Sequence, residues 1–227
     1  MLLQVAVDDV GFEKATRALL KNVNCDMMSV MRKLHANTRT SAKEASHERI
    51  VNAASLAIRR SGYAGTGVAD IMKEAGLTHG AFYAHFESRE AMLAEAADRA
   101  GAASNAAASR LLATVPPEDA LRTLIEAYLS TAHIKGIETG CPVSALGSEM
   151  PRQSPEVRRA ATLRIKEMID LVARQMPDWG QPAAHERALV TVATMVGTLV
   201  LARAVDESNL SEQFSRAAIK KLAPEKS

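Results

Sequence analysis

The stretch Val68-Ala-Asp-Ile71-Met72-Lys-Glu-Ala75-Gly76-Leu77-Thr78-His79-Gly80-Ala81-Phe82-Tyr83-Ala84-His85-Phe86 decides the fold. Val68, Ile71, Met72 and Ala75 recur at helical spacing and form one inward stripe. Gly76 stops that helix. Thr78 can cap a second, very short helix that carries Phe82 and Phe86 on one face. Helix, turn and short helix make the helix-turn-helix pattern. A recognition helix enters the major groove, so its base-facing side chains must be small or polar. Gly80, Ala81 and Ala84 let the backbone approach DNA closely. Thr78 and His79 lie at the helix start, where side chains reach base edges and free N–H groups meet phosphate. Tyr83 pairs an apolar body with a hydroxyl suited to phosphate. Arg89 can clamp the DNA backbone from outside the groove. Phe82 and Phe86 read as core.

Upstream, Ser41-Ala-Lys-Glu44 has capping-box spacing. Ile50, Val51, Ala54, Ala57 and Ile58 then share a helical face that ends at Gly62. Thr66 can cap the next helix. Ser88 can cap a fourth, opened by Arg89-Glu90 and running to about Ala113, before Pro116 and Pro117. A helix from about Glu118 to Lys135 carries Leu121, Leu124, Ile125, Tyr128 and Leu129. Gly136 and Gly140 interrupt, and Pro142 opens a short segment. Ser154-Pro155-Glu156 combines a cap, a proline at the first helical position and an acid at the positive end of the dipole. That helix is expected to reach about Met176. Two more are expected, from about Ala183 to Val205 and from about Leu210 to Leu222. No repeat or strand signal appears, so the fold class is all-α. The expected organisation is an N-terminal extension (1–40), a three-helix helix-turn-helix domain (41–88) and a C-terminal helical domain for ligand binding and dimerisation (89–223). Met27, Met28 and Met31 are candidate natural starts, with a true N-terminal arm as the alternative.

Composition narrows the functional classes. Alanine is abundant, and aromatics make up 4% of the 227 residues, which favours helix over strand. The net charge of +2 does not by itself announce a nucleic-acid binder. From Met31 to Leu93, nine Lys and Arg face six Asp and Glu, and four of the six histidines fall there. This is a mild basic bias compatible with phosphate contact. Cys25 and Cys141 are far apart, with no zinc-ligand spacing and no disulfide framework, so a cytoplasmic location is expected. The apolar run from Ala188 to Ala202 is short for a membrane span and reads as a buried helix. No metal, cofactor or membrane partner is implied.

Gly62-Tyr63-Ala-Gly-Thr66-Gly67, Ala75-Gly76-Leu77, Phe82-Tyr83-Ala-His85-Phe86 and Ser88-Arg89-Glu90 together resemble the DNA-binding domain of the TetR family of repressors. The resemblance spans about fifty residues, Ser41 to Leu93, with Arg89 where lysine is usual. It implies a homodimer that reads a palindromic operator in double-stranded DNA. Thr78, His79, Gly80 and Ala81 would face bases; Thr66, Gly67, Val68, Tyr83, His85 and Arg89 would lie nearer phosphates. It also implies dimerisation through the last two helices and an effector pocket. The candidate lining is Tyr128, His133, Cys141, Met150, Met168, Trp179 and Met195, with the small-molecule effector unidentified.

Gly140-Cys141-Pro142-Val143 resembles the Gly-Cys-hydrophobic segment of a TetR-like subset, some of whose members respond to electrophiles. A thiol at a helix N-terminus is inclined toward thiolate, which makes modification one reading. A small buried hydrophobe is the other. Two competing classes are a small helical enzyme, for which Cys141 with His133 is the visible candidate pair, and a protein-binding adaptor. The small residues of the short helix speak against the adaptor, since a partner surface wants large apolar anchors.

Overall fold

Every regular element among the described residues, 41–223 of this computed structural model, is helical. The extension expected over 1–40 and its candidate start methionines lie outside them. Among the described residues, those from Glu48 onward form one compact unit. That unit carries everything that follows except the first turns of the opening helix.

Residues 41–61 are helical (α1). After α1 come α2 (Val68–Glu74), a 3₁₀ helix (His79–Ala84), α3 (Arg89–Leu112) and α4 (Pro117–Tyr128). Then follow α5 (Thr131–Lys135), α6 (Pro142–Leu146), a 3₁₀ turn (Met150–Arg152), α7 (Pro155–Ala173), α8 (Pro182–Ala204) and α9 (Ser208–Leu222).

Several expected boundaries move for local reasons. The helix read over 118–135 is two helices, because the Ser130 hydroxyl accepts from the His133 N–H and starts a new one. Ser41 is itself helical, so it is not a cap, which would keep extended backbone angles. Gly67, not Thr66, precedes α2, and the Thr66 hydroxyl donates backwards to the Gly62 carbonyl at 2.6 Å. Thr78 and Ser154 hold capping positions without side-chain cap bonds. Ser88 does cap, accepting from Ala91 N–H at 3.0 Å.

The buried residues form two clusters. One joins Ile50, Ile58, Ile71, Met72, Phe82 and Phe86 to Met92 and Leu93 of α3, and also takes in Leu146 and Val157. The other joins Leu124, Ile125, Met168, Val172, Met195 and Leu199, with Ala108 and Leu112 of α3 packed on it. Helix α3 therefore belongs to both. It runs close to α7, and a Cβ at Gly101 would stand 2.5 Å from the Arg164 Cβ. Arg164 holds Asp98 of α3 with two bonds of 2.8 Å each, a bidentate pairing that fixes the two helices in register. Helix α8 is long and apolar enough to cross a membrane, but Ala188, Val192, Met195 and Leu199 are buried inside the protein, so it serves as a core helix.

Gly101→Ala is expected to destabilise the protein although alanine is the better helix former. The added methyl meets the immobile root of Arg164, and overpacking costs about 1–3 kcal/mol, against about 1 kcal/mol gained in propensity. A lower urea midpoint at unchanged slope is the expected readout.

Candidate nucleic-acid interface and ligand cavity

Helix α2 ends in a Schellman motif. The Gly76 N–H donates to the Lys73 carbonyl at 3.0 Å, and the Leu77 N–H to the Met72 carbonyl at 2.8 Å. Gly76 takes a φ of 70°, which β-carbon-bearing residues adopt only with strain. The chain thereby turns sharply into the 3₁₀ helix. Phe82 is buried beneath it and stacks on Phe86, with ring centroids 5.6 Å apart.

That anchoring leaves a low outer face. Thr78, His79, Gly80 and Ala84 are exposed, and a Cβ at Gly80 would touch nothing within 4 Å. Tyr83 is 74% exposed and rests edge-on against Phe82. Ala81 and His85 are half-buried, Gly67 is exposed, and Val68 packs partly on the core. Thr66 is only 3% exposed, so its side chain serves the turn between α1 and α2. Arg89 donates to the Tyr63 carbonyl and, at 3.1 Å, to the Thr66 carbonyl, tying that same turn to the start of α3. Lys73, exposed in the last turn of α2, is a further cation of the helix-turn-helix that sequence reading passed over.

A cavity of about 240 Å³ lies between α3, α4, α5 and the turn that follows. Its wall includes Ala107 and Leu111 of α3, Leu124 and Tyr128 of α4, Ala132 and His133 of α5, and Thr139 and Gly140. No Lys, Arg, Asp or Glu lines it. Of the seven pocket residues expected from sequence, Tyr128 and His133 are on this wall. Cys141, Met150 and Met168 border a separate cleft of about 10 Å³, room for one water at most. Met195 is buried in the C-terminal cluster, and Trp179 is 55% exposed in the loop after α7. Sequence favours bulky candidates, whereas this cavity exists because its wall is rich in alanine and glycine.

His133 organises the floor. Its Nε2 accepts from the Cys141 amide N–H at 2.9 Å, and its Nδ1 lies 2.6 Å from the Tyr128 carbonyl. The network therefore assigns the proton to Nδ1, which donates to that carbonyl. Arg203 of α8 donates to the His133 carbonyl at 2.7 Å, the Ile134 carbonyl at 3.1 Å and the Ser144 hydroxyl at 2.8 Å. Burial holds the imidazole pKa below its ordinary value; the bond to Tyr128 opposes this and the Arg203 charge adds to it. The Cys141–His133 enzyme pair is not assembled, because the ring meets the amide rather than the thiol and both its nitrogens are engaged. The thiol is buried, whereas reactive cysteines sit in accessible sites.

Sequence reading missed three polar residues: Arg203, which ties this floor to α8, Arg59, which ties it to α1, and Glu149, which holds the α1–α2 turn. Arg59 is 5% exposed on α1; its Nε donates to the Ser55 carbonyl at 2.9 Å and its Nη1 to the Gly140 carbonyl at 3.1 Å. Glu149 accepts from the Tyr63 amide N–H at 2.9 Å. The available signal for Arg59 was its place beside Ile58, one turn after the inward Ser55.

A helix-turn-helix with an exposed small-residue face, joined to an all-helical domain with a cavity in its side, defines a DNA-binding transcription regulator. Residues 50–96 match the model of the bacterial regulatory proteins of the tetR family. Residues 117–216 match that of the LmrA/YxaF-like transcriptional regulator C-terminal domain. An HTH-type transcriptional regulator of Mycobacterium tuberculosis, Rv0196, is 32% identical over 169 residues, covering 69% of this chain and 83% of the relative. The chain belongs to the TetR family of DNA-binding transcriptional regulators. Among solved structures, E. coli NemR in its reduced form superposes with a TM-score of 0.68 at 20% identity, covering 78% of this chain and 95% of that one. AibR, solved with isovaleryl coenzyme A and operator DNA, does so at 0.57 and 16% identity, covering 79% and 98%. Both share the fold.

His133 gives a pH prediction. Its pKa is lowered in the folded state from 6.5, so its contribution is fully present above that value and is lost as pH falls below it, where the unfolded chain takes up a proton that the folded chain resists. Urea titrations of the wild type and His133→Gln should show the wild type losing more stability between pH 7 and pH 5. Equal losses would remove His133 from the account.

Proposed function

We propose that this regulator is a repressor which binds a palindromic operator as a homodimer and leaves it when a small molecule fills the cavity beside α3. The observation that carries this reading is the cavity itself. It is uncharged and walled by the helix whose other end starts at the DNA-binding domain. AibR, solved with isovaleryl coenzyme A and operator DNA, is a protein of this fold that takes a small molecule as well as DNA.

Thr78, His79, Gly80 and Ala81 face the bases in this reading, and Gly67, Val68, Tyr83 and His85 approach phosphates. Thr66 and Arg89 act from behind, by holding the α1–α2 turn. The partner protomer packs on α8 and α9. Val190, Ala193, Gly197, Val200, Leu201 and Ala204 of α8 form an exposed apolar stripe at helical spacing, and Val190 is 64% exposed. A self-complementary patch of this kind suits a two-fold dimer. A DNA partner places the protein in the cytoplasm.

Selection from random DNA by the purified protein should return one palindrome, bound with an affinity that falls steeply as salt rises. Recovery of no preferred sequence would sink the reading. Tyr83→Phe should weaken binding of the dimer by about four- to a hundredfold, the worth of one hydrogen bond in each half-site. Leu201→Asp should move the light-scattering mass from dimer to monomer and reduce operator affinity with it. A dimer that persists would shift the interface elsewhere.

A further inference from the structure

We propose that the effector is a small, electrically neutral and mostly apolar molecule, whose single hydroxyl or carbonyl group bonds to Ser104 on the cavity wall. The proposal rests on the cavity being the effector site and names the chemical class that fits it. Size follows from volume. An apolar cavity of about 150 Å³ takes benzene, so a molecule about half as large again, with about ten non-hydrogen atoms, suits this one. The cavity here measures about 240 Å³. Tyr128 and His133 meet edge to face with ring centroids 4.8 Å apart, a corner onto which an apolar ring packs.

Charge follows from what the wall has left to offer. The Ala132 carbonyl already accepts from the Gly136 N–H, the Gly136 carbonyl from the Gly140 N–H, and the Gly140 carbonyl from Arg59. Both ring nitrogens of His133 are engaged, and the Tyr128 hydroxyl is buried out of a ligand's reach. Two neutral hydroxyls remain among the lining side chains, those of Ser104 and Thr139. Ser104 is half-buried, whereas Thr139 is exposed and has water to compete with. Two guanidinium groups stand behind the wall, Arg59 at the Gly140 carbonyl and Arg203 at the His133 carbonyl. Their field repels an ammonium group. It favours a carboxylate, but neither guanidinium lines the cavity, so the carboxylate finds no charged donor to receive it. Either ion gives up hydration that two hydroxyls cannot replace. A neutral molecule keeps its apolar surface on alanine and leucine and loses only the water on one polar group.

Three probes with one skeleton separate the charge states: 2-phenylethanol, phenylacetate and 2-phenylethylammonium. Dissociation constants are read on the full chain by ligand-observed NMR. The alcohol is expected to bind at least about tenfold tighter than either ion, a modest share of the cost of taking a charge out of water. Ala107→Phe fills the cavity from an exposed position of α3, so it should abolish alcohol binding while circular dichroism shows an unchanged fold. Ser104→Ala should weaken the alcohol by about two- to tenfold, the worth of one hydrogen bond. It should leave ethylbenzene, which has no hydroxyl, unchanged; equal losses for the two would take Ser104 out of the proposal. Ala132→Glu puts a carboxylate on the wall and should turn the preference toward the ammonium probe. An ion that binds as tightly as the alcohol and is lost in Ala107→Phe would overturn the ligand class and leave the cavity as the effector site. Failure of all three probes to bind, or binding that Ala107→Phe leaves intact, would also overturn the class. An alcohol that fills the cavity and leaves the selected operator bound, read by fluorescence anisotropy, would overturn release by cavity filling and leave the ligand class standing.

Discussion

One helix built into two cores is the constraint on which the rest of the molecule depends. The first turns of α3 give Met92 and Leu93 to the DNA-binding cluster, and its last turns give Ala108 and Leu112 to the C-terminal one. Its middle admits α7 closely because residue 101 has no side chain and because Asp98 meets Arg164 in a two-bond clasp. The α3–α7 contact therefore fixes where the DNA-reading face stands relative to the cavity. A helix shared in this way cannot be displaced at one end without a response at the other, since packed interiors deform in discrete steps rather than continuously.

Around that frame runs a buried polar network that an alanine-rich bundle would not need for cohesion alone. Arg59 and Arg203 are both held in low-dielectric surroundings, where desolvation works against their charge. Each is offset by carbonyl acceptors, and Arg203 also by the Ser144 hydroxyl. His133 completes the arrangement as a neutral ring between two backbone groups. Such networks are stabilising only when every member has its partner. Here the network lies beside the cavity, whose wall includes His133 and Gly140.

How much of this was legible in the sequence follows from the range of each interaction. The helix-turn-helix depends on near neighbours: Gly76 at a left-handed turn, Phe82 and Phe86 one turn apart, and Ser88 as a cap. All were readable, and the family followed from them. The 3₁₀ character of the short helix was not, because six residues offer no periodicity to tell i+3 from i+4 bonding. The break at Ser130 was lost in an apolar pattern that continues across it. The cavity was legible least, since its wall is defined by what alanine and glycine leave empty, and the residues chosen for bulk, such as Met195 and Trp179, went to the core or to solvent. Arg59, Glu149 and Arg203 each reach a partner 59 to 86 residues away, beyond any local signal.

The ties between Tyr63 and Glu149, and between Arg59 and Gly140, also bear on how such proteins can be recombined. Joining the DNA-reading half of one regulator to the sensing half of another, with the seam at residue 88, would leave Tyr63 facing a foreign residue 149 and Arg59 a foreign turn. The transferable module is larger than the motif that names it, and it is discontinuous in the chain. It consists of α1 through the start of α3 together with the stretch from Gly140 to Glu149. The outward residues Thr78, His79, Gly80 and Tyr83 make few bonds within the molecule, so under the proposed reading operator preference can drift freely while the joint behind it is inherited as a set.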